Sequence, residues 1–188
     1  MRSGMYPIID TLRGMTATGE GDYTVNDVSY WSSLQLQDYL DKHRSDYYDK
    51  LILAVDEMSG GSVVTTRYYL GNFNVEGGTA VFWIANASGV KLTPTTDYTV
   101  DYALGLVTFT ADTHGAAYYA TYHAYDLNAA AADIYRAKAA HYADYFNFST
   151  HGHQVNKGDL IKNALTMAEY YSTSGGMRAI DLDRSDTC

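Results

Sequence analysis

The spacing of hydrophobic residues changes twice along the chain. Up to Arg44 the apolar positions follow a helical period, broken by one connection. Pro7 opens a short predicted helix, Ile8 to Met15, and Thr16 to Tyr30 is rich in Gly, Thr and Asp, which predicts an irregular link. Ser32-Ser33-Leu34-Gln35 has the S-x-x-Q form of a capping box, in which two side chains satisfy free N–H groups at a helix start. Behind it Leu36, Tyr39, Leu40 and His43 recur at i, i+3, i+4 and i+7, and Asp38–Lys42 adds a supporting i,i+4 pair.

From Tyr48 the period becomes two. Leu51, Leu53 and Val55 alternate with Ile52, Ala54 and Asp56, and further strands are predicted at Val63–Leu70, Thr79–Ala85, Tyr98–Tyr102, Leu106–Thr110 and Ala117–Tyr125. Glycines at 60–61, 77–78, 89, 105 and 115 punctuate them. The connections are too short for crossover helices, so the strands must pair antiparallel. Within DYTVDYALGLVTFTAD (97–112), Val100, Tyr102, Val107 and Phe109 are expected in a core, with Asp101 and Asp112 at solvated edges.

At Asp126 the period returns to helical. Asp126-Leu127-Asn128 supplies caps, and AAAADIYRAKAAHYADYF follows with alanine, the strongest helix former, dominant. At 100° per residue, Ile134, Tyr145, Ala131, Tyr142, Tyr135, Phe146 and Ala139 share an arc of roughly 140°, with Asp133, Arg136, His141 and Asp144 opposite. Lys138 falls inside the apolar arc. STHGHQVNKG (149–158) reads as a loop, and a last helix follows with Leu160, Ile161, Ala164, Leu165, Ala168 and Tyr171 on one face.

This order predicts an α+β fold. A helical bundle is formed by N-terminal helices (1–47) and a C-terminal αα-hairpin (126–172), with an inserted antiparallel β lobe (48–125), a sheet or small barrel or sandwich. Residues 173–188 form a polar, flexible tail.

Composition narrows the function. The chain has 188 residues, a net charge of −9 and a pI near 4.9, which disfavours gripping of nucleic acid. A single cysteine, Cys188, allows no internal disulfide and fits a reducing compartment. No signal peptide and no membrane span are expected, so the reading is a soluble protein made in a cytoplasm.

Candidate chemistry is sparse. His151-Gly152-His153 offers two imidazoles at i, i+2, but a stable metal site needs a third or fourth ligand, and no paired carboxylate or cysteine stands at matching spacing. No nucleophile elbow or phosphate loop is present. Asp97, Asp101 and Asp112 are better explained as strand-end residues than as a glycosidic pair. No enzyme, cofactor or metal is therefore expected.

The 19 tyrosines carry more information. Those of the strands (Tyr68, Tyr69, Tyr118, Tyr119, Tyr122) suit either a core or a sugar-binding platform. Those of the helices (Tyr135, Tyr142, Tyr145) suit subunit contacts that are partly wet. Lys138, set in the apolar face, must snorkel or meet an anion on a neighbour. Alanine-rich faces allow close packing on more than one side, as in a ring of protomers.

Three segments carry a family resemblance: WSSLQLQDYLDKHR (31–44), DYTVDYALGLVTFTAD (97–112) and, above all, YDLNAAAADIYRAKAAHYADYFNFST (125–150). With them the chain resembles the head-to-tail adaptor (neck or connector) proteins of tailed bacteriophages. The β block is a departure, since smaller adaptors are nearly all helical. The resemblance implies a structural, non-enzymatic virion protein without cofactor. It implies a homo-oligomeric ring, usually of twelve copies, beneath the portal protein and in contact with other neck or tail proteins. DNA would pass through the channel without specific binding, and no membrane is involved. Tyr135, Lys138, Tyr142 and Tyr145 would then face a subunit or the portal, and Met177, Arg178, Ile180 and Leu182 would anchor a docking tail. The competing readings are a carbohydrate-binding β module of a phage or bacterial surface protein, and a metal-dependent hydrolase built on His151 and His153.

Overall fold

The computed structural model describes residues 1–19, 24–25, 28–143, 148–150, 153–155 and 157–174. The fold is α+β with antiparallel sheets. Two compact units, 1–130 and 131–188, divide the chain, so the N-terminal helices belong to the same unit as the β strands.

The first unit opens with a 3-10 turn, Ser3–Met5, that leads into α1, Tyr6–Thr16. Pro7 sits in the first turn, where its missing N–H costs nothing, and Ile8, Ile9 and Leu12 are buried. Ala17 ends the helix in the left-handed region at φ 47°. Within the link expected to be irregular, β1 (Thr24–Val25) pairs with β2 (Val28–Ser29). The capping box is present at the start of α2, Ser33–Asp41. Ser32 Oγ accepts from Gln35 N at 3.3 Å, and Gln35 Oε1 accepts from Ser32 N at 3.0 Å. Leu36 and Leu40 are fully buried, and α2 packs on α1.

The strands are β3 (Arg44–Leu51), β4 (Leu53–Ser59), β5 (Ser62–Tyr69), β6 (Trp83–Asn86), β7 (Tyr98–Asp101), β8 (Leu106–Phe109) and β9 (Tyr118–Tyr125). They form two sheets, ordered β3-β9-β6 and β4-β5-β8-β7. Both contribute to one core that holds Ile52, Tyr68, Phe82, Ile84, Tyr98, Val107, Phe109 and Tyr122.

Several sequence expectations shift here. The alternation from Leu51 to Asp56 is two strands of different sheets, hinged at Ile52, whose N–H donates to the Tyr118 carbonyl at 3.0 Å. Ile52 is buried, while Leu51 and Leu53 are 50 and 61% exposed. Strand β6 begins at Trp83, because the chain around Gly78 turns: the N–H groups of Val81 and Phe82 both donate to the Gly78 carbonyl.

The hairpin read at 97–112 is β7–β8. Val107 and Phe109 are buried, and Val100 and Tyr102 pack against the core. Asp101 Oδ1 caps the turn by accepting from Ala103 N and Leu104 N at 3.1 and 3.0 Å. Gly105 is required there: its φ is +62°, and a Cβ would stand 1.9 Å from the Asn72 carbonyl oxygen.

Asp126 then caps α3, Leu127–Ala143, with Oδ1 accepting from Ala129 N at 3.0 Å. The predicted extension of this helix through Phe146 lies outside the described residues.

The second unit holds most of α3 and then β10 (Phe148–Thr150), β11 (His153–Val155) and α4 (Lys157–Ser174). Where a plain loop was expected at 149–158, β10 and β11 pair antiparallel, so the helices are joined by a small β hairpin. On α4 Ala164 and Ala168 are buried, but Leu165, placed on the same predicted face, is 49% exposed. The helix also includes Thr173 and Ser174, whose hydroxyls donate to carbonyls one turn back, at Glu169 and Tyr170.

Candidate functional site

The helical residues singled out from sequence come partly together. Tyr135 on α3 stacks on Tyr171 of α4, ring centroids 5.8 Å apart and planes at 12°. Tyr170 meets Tyr171 edge-on at 5.2 Å. Lys138 Nζ lies 5.5 Å from the centre of the Tyr135 ring, a cation–π geometry that answers how an apolar face holds a lysine. Burial first, then the neighbouring Tyr171 and Tyr142 hydroxyls, pushes the Tyr135 phenol upward, so it stays neutral. Tyr142 is half-buried. Tyr145, Met177, Arg178, Ile180 and Leu182 lie outside the described residues. Tyr135, Lys138 and Tyr171 thus form one ring-and-cation packing contact.

Of the strand tyrosines singled out from sequence, Tyr68 and Tyr122 are buried, Tyr118 and Tyr119 are half-buried, and Tyr69 is exposed. Tyr68, Tyr98 and Tyr122 are fully buried. Tyr68 Oη lies 2.6 Å from Thr113 Oγ1 and donates to the Ala116 carbonyl at 2.9 Å, and Tyr122 Oη donates to the Leu70 carbonyl at 2.8 Å. The Asn72 amide links the Tyr47 and Tyr122 hydroxyls at 3.1 and 2.7 Å. Burial raises the Tyr98 and Tyr122 phenols to about 12. These are core residues with polar tips, and their rings offer no platform to a sugar.

A charged cluster that sequence reading missed lies in the first unit. Arg2 donates from Nε to Glu76 Oε1 at 2.8 Å and from Nη1 to Asp41 Oδ2 at 2.9 Å, and its Nη2 also meets Asp41 Oδ1. Tyr125 Oη accepts from Arg2 Nη2 at 2.8 Å and donates to Glu76 Oε2 at 2.6 Å. The His123 ring lies between carboxylates, Nδ1 3.5 Å from Glu76 Oε2 and Nε2 3.7 Å from Asp46 Oδ1.

Glu76 is 1% exposed, and its carboxylate accepts from the Arg2 guanidinium and the Tyr125 hydroxyl. The hydrogen bond to Asp41 leads in raising the Arg2 guanidinium, against the opposing pull of burial. Burial pushes the Asp41 carboxyl up, but the Arg2 guanidinium overcomes it and holds the group below its ordinary range. Both oxygens of Glu76 are occupied, which makes the cluster a lock between the N-terminal segment, α2 and the β lobe. No local pattern announces it, since Arg2 and Glu76 are 74 residues apart.

Next to that lock a cavity of about 290 Å³ opens between Ser3, Pro7, Ile8 and Thr11 on one side and Asn74, Val75, Gly77 and Tyr102 on the other. Its walls are mainly apolar and carry no carboxylate, imidazole or amine. A Cβ on Gly4 would collide with the Gly77 carbonyl, so a glycine at this position lets the 3-10 turn lie directly on the strand link.

Asp112 organises another turn. The backbone N–H groups of Thr65 and His114 both donate to it at 2.9 Å and, with Thr65 first, hold its carboxyl low. The exposed His114 ring adds Nδ1 at 3.0 Å from the other oxygen.

Among the described residues no group of three or more His, Cys, Asp or Glu is placed to hold a metal ion. His153 stands in β11, His141 on α3, and His151 lies outside the described residues. No described helix is long and apolar enough to cross a membrane. The chain matches no protein-family model, no curated protein and no solved structure.

Proposed function

We propose that the chain is a structural, non-enzymatic virion protein of the adaptor type. It forms a ring beneath the portal, connects capsid to tail and extends the DNA channel. The observation that carries the reading is where the three resembling segments fall. Residues 31–44 carry α2 with its capping box, 97–112 carry the β7–β8 hairpin, and 125–150 carry the strand-to-helix junction and α3. Each is a discrete structural part, as expected of motifs that specify shape rather than chemistry.

In this reading twelve copies per ring is the family expectation. Tyr135, Lys138 and Tyr142 meet a neighbouring subunit, and the chain's acidity keeps DNA from sticking to the channel. Of the proposed docking segment 173–188, Thr173 and Ser174 close α4, and the residues after them dock on the portal. Deletion of 173–188 tests the docking: purified heads should lose the ring while the truncated chain keeps its helix content by circular dichroism. Heads that still carry a full ring after the deletion would contradict it.

A further inference from the structure

Strands β4 and β5 carry an outward face that is apolar at one end, at Leu53 and Tyr69, and charged further along, at Arg67 and Glu57. Directly opposed residues of an antiparallel pair share a face, so Leu53 stands beside Tyr69 and Val55 beside Arg67. A register shift then sets Glu57 opposite Val64, and Glu57 Oε1 meets Arg67 Nη1 at 2.9 Å on the same side. Tyr68, alternating with these, turns into the core with its partner Val107. Leu53 and Tyr69 expose 61 and 46% of their surface, and the side chains of Arg67 and Glu57 expose 51 and 34%. Asp101, at the far edge on β7, is already turned back to the Ala103 and Leu104 N–H groups.

We propose that this face binds a second copy of the chain. It is self-complementary. A two-fold axis lying in the contact plane, parallel to the strands and between them, sets β4 of one copy over β5 of the other. Leu53 then meets Tyr69 of the second copy at the same level, and Glu57 comes within reach of the second copy's Arg67. One acid and one base on each copy give four alternating charges, where a partner of uniform charge would meet a like charge.

The contact goes beyond the ring reading, because a two-fold contact is isologous and a ring needs a heterologous one. Strands of this length, with ~3.3 Å per residue and ~4.8 Å between them, give a footprint of about 25 by 10 Å. That is well below the ~800 Å² per partner of a standard interface, so the dimer is a weak one.

Sedimentation equilibrium between ~10 and ~500 µM tests this, with a concentration-dependent monomer–dimer equilibrium expected. Arg67→Glu and Glu57→Arg should each weaken dimerisation about tenfold or more, and Leu53→Asp should do the same. The double swap E57R/R67E keeps the pair within one chain and restores alternation across the axis, so its dissociation constant should return to within about threefold of the native one. Melting curves verify that each variant is folded. If the single reversals unfold, the double swap and Leu53→Asp decide alone.

A native chain that stays monomeric throughout overturns the proposal. So does a dimer that none of the substitutions weakens, which would leave this face to a different partner, or a folded double swap as weak as the singles. Portal binding of the same variants is read separately, so failure of the ring reading leaves this result intact, and the converse holds.

Discussion

Within the β lobe the largest buried side chains are Tyr68, Tyr98, Tyr122 and Phe82, whereas on α3 and α4 alanine holds most buried positions: Ala130, Ala131, Ala132, Ala139, Ala164 and Ala168. The lobe fills its interior with large rings and gives the Tyr68 and Tyr122 hydroxyls partners inside the same unit. Each ring removes much apolar area from water, so the lobe fixes its own shape. An alanine contributes little area but lets another backbone approach closely. The two regions therefore differ in how they are packed, the lobe by large rings and the helices by small side chains.

The sharpest test of that difference is truncation of a ring. Phe82 is buried at 5.3 Å from Tyr102, edge to face, and within 6.4 Å of Tyr98 and Tyr122. Phe82→Ala should cost about 3–5 kcal/mol in urea unfolding, since the cavity cannot collapse among rings. Gly105→Ala comes next, at about 2–3 kcal/mol, because it forces a left-handed alanine against the Asn72 carbonyl.

On the helical side the sign of the volume change reverses. Ala168→Leu on α4, overfilling a buried position, should cost about 1–3 kcal/mol by the same measurement. An Ala168→Leu variant of native stability would break the comparison, since it would mean that this helix face is not closely packed.

The smallest effect is in acid. The Asp41 carboxyl titrates lower when folded, so it contributes stability above the free carboxylate range, near pH 4, and loses it as pH falls through the folded value. Asp41→Asn should therefore flatten the loss of stability below about pH 4 relative to the native chain. Equal slopes for the two would show that the Arg2–Asp41 pair does not help to lock the lobe.

Features governed by neighbours in sequence were legible without a structure. The Ser32–Gln35 box, the Asp126 cap and the β7–β8 hairpin each rest on groups only a few residues apart. Features that depend on register or distance were hidden. The sheet change at Ile52 leaves the alternation of apolar residues unbroken, so nothing in the pattern separates β3 from β4. The shift opposite Glu57 hides its pairing with Arg67, which counting outward from Gly60-Gly61 does not bring together. The hairpin of β10 and β11 is too short for a period to emerge. Of the candidate interface, Tyr135 and Lys138 stood out because a lysine interrupts an apolar arc. The Arg2–Glu76 lock left no such mark.

The central claim, a ring-forming adaptor, is most directly tested by native mass spectrometry at ~2 µM, below the concentration at which the weak dimer forms. The chain is measured alone and mixed with assembled portal. The account predicts a monomer alone and a discrete complex with many copies, twelve by family expectation, added to each portal ring. A chain that remains unbound to the portal would contradict it.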